Sequence, residues 1–165
     1  MHKSLFLLCP TDCLEMVINH QFKQENYFYT SLGNSFVSDI DTLINIKDVI
    51  KKHNITNIYF VLSSDNEIIL DALGGQFFSK VKGLKTFYNE IEKQKKHSEA
   101  SWQMNTSRFS ILSYYLNQKI KELKYLLNSL YLNDVRVFGK IYNKQQNIFT
   151  NIYSDLVCLE KHCLN

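Results

Sequence analysis

The chain has 165 residues, 45% hydrophobic and 21% charged, which supplies a buried core and excludes wholesale disorder. Its 5 glycines and 1 proline exclude a collagen-like or proline-rich linker architecture. The formal net charge is only +3, and Arg108 and Arg136 are the only arginines, so the balance argues against a nucleic-acid partner and leaves little material for bidentate phosphate recognition.

In chain order, Ser4 to Leu8 is a continuous apolar run expected to form a buried parallel strand. Pro10, Thr11 and Asp12 break it, too early for a signal-peptide core. Leu14, Val17, Ile18 and Phe22 then follow at helical spacing. Tyr27 to Thr30 reads as a second strand, ending in Ser31-Leu32-Gly33-Asn34. Leu43, Ile46, Val49 and Ile50 form one helical stripe, with Asp39 or Asp41 available as its cap. Ile58 to Leu62 is aromatic and β-branched, as a central strand should be. A short helix follows through Leu73, stopped by Gly74-Gly75.

A helix is predicted between Leu84 and Lys93, with a polar stretch around His97 to Asn105. The three- and four-residue spacing of Phe109, Leu112, Leu116, Ile120, Leu123, Leu127 and Leu130 predicts a long helix. Val135 to Phe138 reads as a fourth strand, and Ile141-Tyr142 with Asn147 to Tyr153 as a hairpin or further edge strand around residues 143–146. This alternation predicts one three-layer α/β domain over residues 1–165, its mainly parallel sheet made of four strands plus an edge strand. No run approaches the roughly 20 apolar residues of a membrane span, so a soluble, cytoplasmic protein without a membrane partner is expected. Cys9, Cys13, Cys158 and Cys163 then read as thiols rather than a disulfide framework.

In open α/β sheets ligands bind beyond the carboxyl ends of the strands. That rule singles out three loops: Cys9 to Cys13, Thr30 to Asn34, and Ser63 to Glu67. They offer a candidate cleft of Cys9, Asp12, Cys13, Gly33, Asn34, Ser64 and Glu67 for a small molecule of unknown identity. Ser64-Asp65-Asn66-Glu67 has the form of a capping box opening the next helix. An anion held at that helix start is the rival reading, weakened by the Glu67 carboxylate. Asp12 reads as a helix cap rather than a base. Cys9, at the end of a buried strand, reads as a structural thiol, with a metal-ligand or reactive role as the alternative.

Cys158, His162 and Cys163 form the one dense Cys/His cluster, with Cys158 and His162 on one helix face, and could hold a soft metal. The six lysines between Lys80 and His97 read as a solvated surface. Phe77, Phe78, Phe87, Tyr88, Trp102, Tyr114, Tyr115, Tyr125 and Tyr131 exceed what a small core needs, and aromatics favour subunit interfaces, so a homodimer is expected.

Several of these residues together resemble the β-class carbonic anhydrases. There the first strand ends in Cys-x-Asp-x-Arg, the second in an Arg-Asn-Ala-Gly-Asn turn, the third in Gly-His-x-x-Cys-Gly, and a late strand carries Gly-Trp-x-Tyr-Asp. Here Cys9 takes the first cysteine position, Gly33-Asn34 close the turn, and Gly139 and Tyr142 match the late strand. The pattern spans roughly Leu5 to Tyr153. It departs where the chemistry sits. Thr11 and Cys13 replace the Asp–Arg pair that governs access to zinc, while Ser64 and Glu67 replace its His and second Cys ligands.

The resemblance therefore implies that fold with a degraded zinc site and no ordinary carbonic anhydrase activity. It also implies a homodimeric binding or structural role with no cofactor. The alternatives are a zinc enzyme with a site rebuilt from Cys9, Asp12, Cys13 and Glu67, or a metal-free small-ligand module.

Overall fold

The computed structural model describes residues 3–35, 40–81, 83–99 and 104–153. Five strands form one sheet: β1 (Lys3–Leu8), β2 (Glu25–Thr30), β3 (Asn57–Ser63), β4 (Arg136–Asn143) and β5 (Ile148–Asn151), in the order β2-β1-β3-β4-β5. The first four are parallel and β5 runs antiparallel to β4. Leu5 sits opposite Tyr27 on one side and Ile58 on the other, and Ile58 sits opposite Val137. The helices are α1 (Glu15–Gln21), α2 (Ile40–His53), α3 (Glu67–Leu73), α4 (Lys85–Glu99) and α5 (Met104–Ser129).

Side chains alternate across a pleated strand, so each strand feeds two cores. Leu5, Leu7, Ile58, Phe60, Leu62, Val137 and Ile141 face a large core closed by α2 to α5. Phe6, Leu8, Val61 and Tyr142 face the other side, where α1 lays Ile18 against them and Phe22, just past its end, sets its ring at a tilt to Tyr59. The α/β expectation and the mainly parallel sheet thus hold, with helices on both faces.

Three boundaries differ from expectation. Helix α4 runs through His97 to Glu99, and α5 starts at Met104 rather than near Phe109. Lys, Glu and Gln are good helix formers, and the Glu92–Lys96 ion pair at 3.0 Å supports the extension. Strand β4 does not stop at Phe138 but continues through Gly139 to Asn143. A side chain on Gly139 would meet Ile152 at 2.5 Å and Ile120 at 3.1 Å, so the glycine admits close packing rather than ending the strand.

The hairpin between β4 and β5 closes over residues 144–147, with Asn147 left-handed and its side chain accepting from the Tyr142 hydroxyl. Of the aromatic positions expected at an interface, Phe87, Tyr88 and Tyr115 instead lie in the core. Trp102 and the proposed cap Asp39 fall outside the described residues, and Asp41 lies within the first turn of α2.

Candidate functional site

The strand order reverses direction between β1 and β3, and at such a switch point neighbouring connections leave a crevice beyond the strand ends. Three loops meet there. After Cys9, Pro10 sets up a single helical turn over Pro10–Asp12, closed by the Asp12 amide on the Cys9 carbonyl at 3.1 Å. The turn leaves Cys9 buried, its sulfur 3.1 Å from the Thr11 hydroxyl.

The second loop, Leu32–Asn34, brings the Gly33 amide to the Cys9 sulfur at 3.1 Å. Gly33 has φ +61°, and a side chain there would press the Phe87 ring at 3.2 Å and Ile68 at 3.3 Å. Both conditions favour glycine. Asn34 is fully buried and donates its amide to the carbonyls of Leu7 (2.8 Å) and Val61 (3.0 Å), bridging β1 and β3 near the reversal. From α5, the Tyr115 hydroxyl lies 3.1 Å from the Gly33 carbonyl and 3.2 Å from that of Asn34.

The third loop follows β3. Asn66, almost completely buried, donates its amide to Asp12 Oδ1 (2.7 Å) and to Thr11 Oγ1 (3.2 Å), and its Oδ1 accepts from the Ile69 amide (3.0 Å). Asp12 Oδ2 accepts from the Ser63 amide at 2.9 Å. Burial pushes the Asp12 carboxyl up to about 6. The hydrogen bonds from Ser63 and Asn66 oppose that rise, and the Asp65 and Glu15 charges add to it.

Asn66, not Ser64, is the cap of α3, so the capping-box expectation is corrected. A turn joins the Asn66 amide to the Ser63 carbonyl at 3.2 Å, and the Ser63 hydroxyl bonds the Asp65 carboxylate. The helix can begin only after this turn, which makes Glu67 its first residue rather than its capping partner. Asp12 likewise serves as a cross-loop acceptor rather than as the cap of α1, where Leu14 occupies the cap position.

The loops thus bring together Cys9, Asp12, Gly33 and Asn34 of the residues singled out from sequence, and add Thr11 and Asn66. Sequence reasoning passed over Asn66 although asparagine is a preferred cap, because the competing Ser-x-x-Glu pattern overlapped it. Cys13 is exposed, left-handed at φ 51°, and directs its thiol to the Pro10 carbonyl. Ser64 ties its amide to the Tyr142 carbonyl at 2.9 Å. Cys158, His162 and Cys163 lie outside the described residues.

Beside this cluster opens a pocket of about 250 Å³ lined by Thr11, Leu32, Glu67, Ile68, Phe78, Val81 and Leu84. Its outer wall is pinned by Asp71, whose carboxylate accepts from the amides of Phe77 (2.8 Å) and Phe78 (2.9 Å) and from the Tyr88 hydroxyl. Burial alone would raise the Asp71 carboxyl, but these donors outweigh it and hold the group below the usual carboxylate value.

No family model and no curated protein matches the sequence. Solved structures do match the fold. The β-carbonic anhydrase CafD of Aspergillus fumigatus is 15% identical, with 93% of this chain covering 90% of that one at a TM-score of 0.73. A tetrameric β-carbonic anhydrase from Sordaria macrospora is 15% identical over 95% of this chain and 81% of its own, with a TM-score of 0.67. The Coccomyxa β-carbonic anhydrase in complex with acetazolamide is 9% identical over 97% and 76%, with a TM-score of 0.68. The fold is therefore that of the β-carbonic anhydrases.

Zinc held in the manner implied by the sequence resemblance needs two thiolates and an imidazole. The corresponding positions here carry Cys9, Ser64 and Glu67, and the Cys9 sulfur already faces the Thr11 hydroxyl and the Gly33 amide. Among the described residues no group of three or more His, Cys, Asp or Glu is arranged to hold a metal ion. The residues present do not fit that zinc.

Proposed function

We propose that this chain is a homodimeric, cytoplasmic binding or structural protein that keeps the β-carbonic-anhydrase scaffold without its hydration chemistry. The observation that carries the reading is the Asn66 side chain. It joins the loop after β1 to the loop after β3 through Thr11, Asp12 and the Ile69 amide. Those are the two loops from which the resemblance draws the metal ligands. A hydroxide-generating zinc needs three firm protein ligands and an open water position. The set of Cys9, Ser64 and Glu67 supplies one soft ligand, and hydrogen bonds to Asp12 and Thr11 stitch the two loops together instead.

Two observations support self-association. Phe77 and Tyr131 are large rings left 85% and 91% exposed, and the solved neighbours include a tetramer. The modest charge and two arginines support a partner other than nucleic acid. No helix among the described residues is long and apolar enough to cross a membrane.

The test is carbon dioxide hydration by stopped flow, with metal content by elemental mass spectrometry, on untagged protein purified without chelator. Wild type is expected to match Cys9→Ser in hydration rate and to carry no stoichiometric zinc. Hydration above that control, with near-stoichiometric zinc lost in Cys9→Ser, would overturn the reading in favour of a zinc enzyme with a rebuilt site.

A further inference from the structure

We infer that the pocket beside the Asn66 cluster binds a small organic cation, a protonated amine carried on a short aliphatic or aromatic body. The inference deepens the binding role proposed above and rests on it. Five of the seven lining residues are apolar, and three of these, Leu32, Phe78 and Val81, stay 38%, 43% and 40% exposed around the mouth. Large apolar side chains held in water around a concavity mark ligand sites. At water's share of about 30 Å³ per molecule, a pocket of about 250 Å³ takes a ligand of on the order of eight non-hydrogen atoms.

The walls are preformed. Asp71 fixes the backbone of Phe77 and Phe78, and successive turns carry the chain on, with Val81 bonded to Phe78 at 2.9 Å and Leu84 to Val81 at 3.1 Å. On the opposite side Ile68 lies tight under Gly33, whose carbonyl is within hydrogen-bond distance of the Tyr115 hydroxyl. A rigid pocket spares a ligand the cost of ordering its walls.

Charge selects the ligand class. Among the described residues of the lining, Glu67 carries the one charge, at the exposed rim. The Asp12 carboxylate lies just behind Thr11, and Asp65 and Glu15 are close enough to disfavour its ionised form. The Thr11 hydroxyl is already engaged by Cys9 and Asn66, which leaves Glu67 as the polar anchor. The described lysines of the neighbouring segment, Lys80 and Lys85, do not line the pocket. An ammonium group at Glu67 with its hydrocarbon against Leu32, Ile68 and Phe78 satisfies both halves of the site. A carboxylate or bicarbonate there meets repulsion.

Isothermal titration of the full chain with hexylamine, hexan-1-ol and hexanoate tests this. Hexylamine is expected to bind saturably, one per chain, at least tenfold tighter than hexan-1-ol, with no binding of hexanoate. Glu67→Gln, an exposed rim change that leaves the fold intact, is expected to reduce hexylamine to the level of the alcohol. Val81→Trp, which fills the mouth, is expected to abolish all binding, and Glu92→Gln on the surface of α4 to leave it unchanged. Hexanoate binding as tightly as hexylamine, hexylamine binding that survives Glu67→Gln, or no saturable hexylamine binding would each overturn the inference. Hydration measured on the same preparation separates the two failures. Absence of both activities removes only this ligand class, whereas carbon dioxide hydration removes the underlying reading.

Discussion

Asn66 does with one side chain what two loops require: it caps α3 through the Ile69 amide and ties Thr11 and Asp12 to the end of β3. Its truncation to alanine removes a helix cap, takes that acceptor from the buried Ile69 amide, and takes a donor from the part-buried Thr11 and Asp12 oxygens. Asn66→Ala is therefore expected to lower stability by about 2–3 kcal/mol, read as a fall in the urea midpoint without change of slope. Asp12 sets a pH dependence of a definite sign. Its folded carboxyl titrates at about 6, above the roughly 3.9 of an unfolded aspartate, so between these values the folded chain holds more protons. The group's contribution is thus fully present in acid and is lost as the pH rises through 6. The wild type should lose about 1 kcal/mol relative to Asp12→Asn between pH 5 and pH 7 in urea titrations. Asp71, held low by its donors, acts with the opposite sign and below that window.

Helix α5 works at a larger scale, because it packs the core and also reaches the site. Leu112, Leu116 and Leu123 are completely buried along one stripe, while Tyr115 sends its hydroxyl to the Leu32–Asn34 turn. These two jobs separate by substitution. Leu116→Ala should cost about 2–5 kcal/mol as a core cavity. Tyr115→Phe should cost about 1 kcal/mol but speed hydrogen exchange of the Gly33 amide, the one that faces the Cys9 sulfur. Exchange at Gly33 unchanged in Tyr115→Phe would show that the turn is held without α5. The stripe of α5 was legible because apolar spacing reports burial directly. The start of α3 was not, since Ser64 and Asn66 are both good caps and the winner depends on Ser63, Asp65 and Asp12, one of them distant in sequence.

Across the molecule, the sheet order β2-β1-β3-β4-β5 puts the reversal between β1 and β3, and every loop of the candidate cleft ends there. The reversal makes the crevice, and Asn34 bridges its two sides. The assembled molecule is expected to scatter light as twice the chain mass and to stay so on dilution to micromolar concentration. A mass of one chain at all concentrations would remove the dimer from the proposed function. The rings offered as interface material divide on folding: Phe87, Tyr88 and Tyr115 go to the core, whereas Phe77, Tyr125 and Tyr131 remain outside. Composition counts rings but carries no information on which way they face.

The strands, most helices, the parallel arrangement and the cleft loops follow from local pattern. Apolar runs, helical stripes and turn residues act over a few neighbours, and a strand–helix alternation admits few topologies. The cluster of Cys9, Thr11, Asp12 and Asn66, the pinned wall at Phe78 and the pocket at Glu67 follow from none of these. They depend on partners distant along the chain, as in the Asp12–Ser63 bond and in the Gly33–Cys9 and Tyr115–Gly33 contacts, which exist only after the strands have aligned. A polar side chain carries no periodic signal of its own. Its role is set by whichever buried donor or acceptor the completed fold leaves within about 3 Å of it.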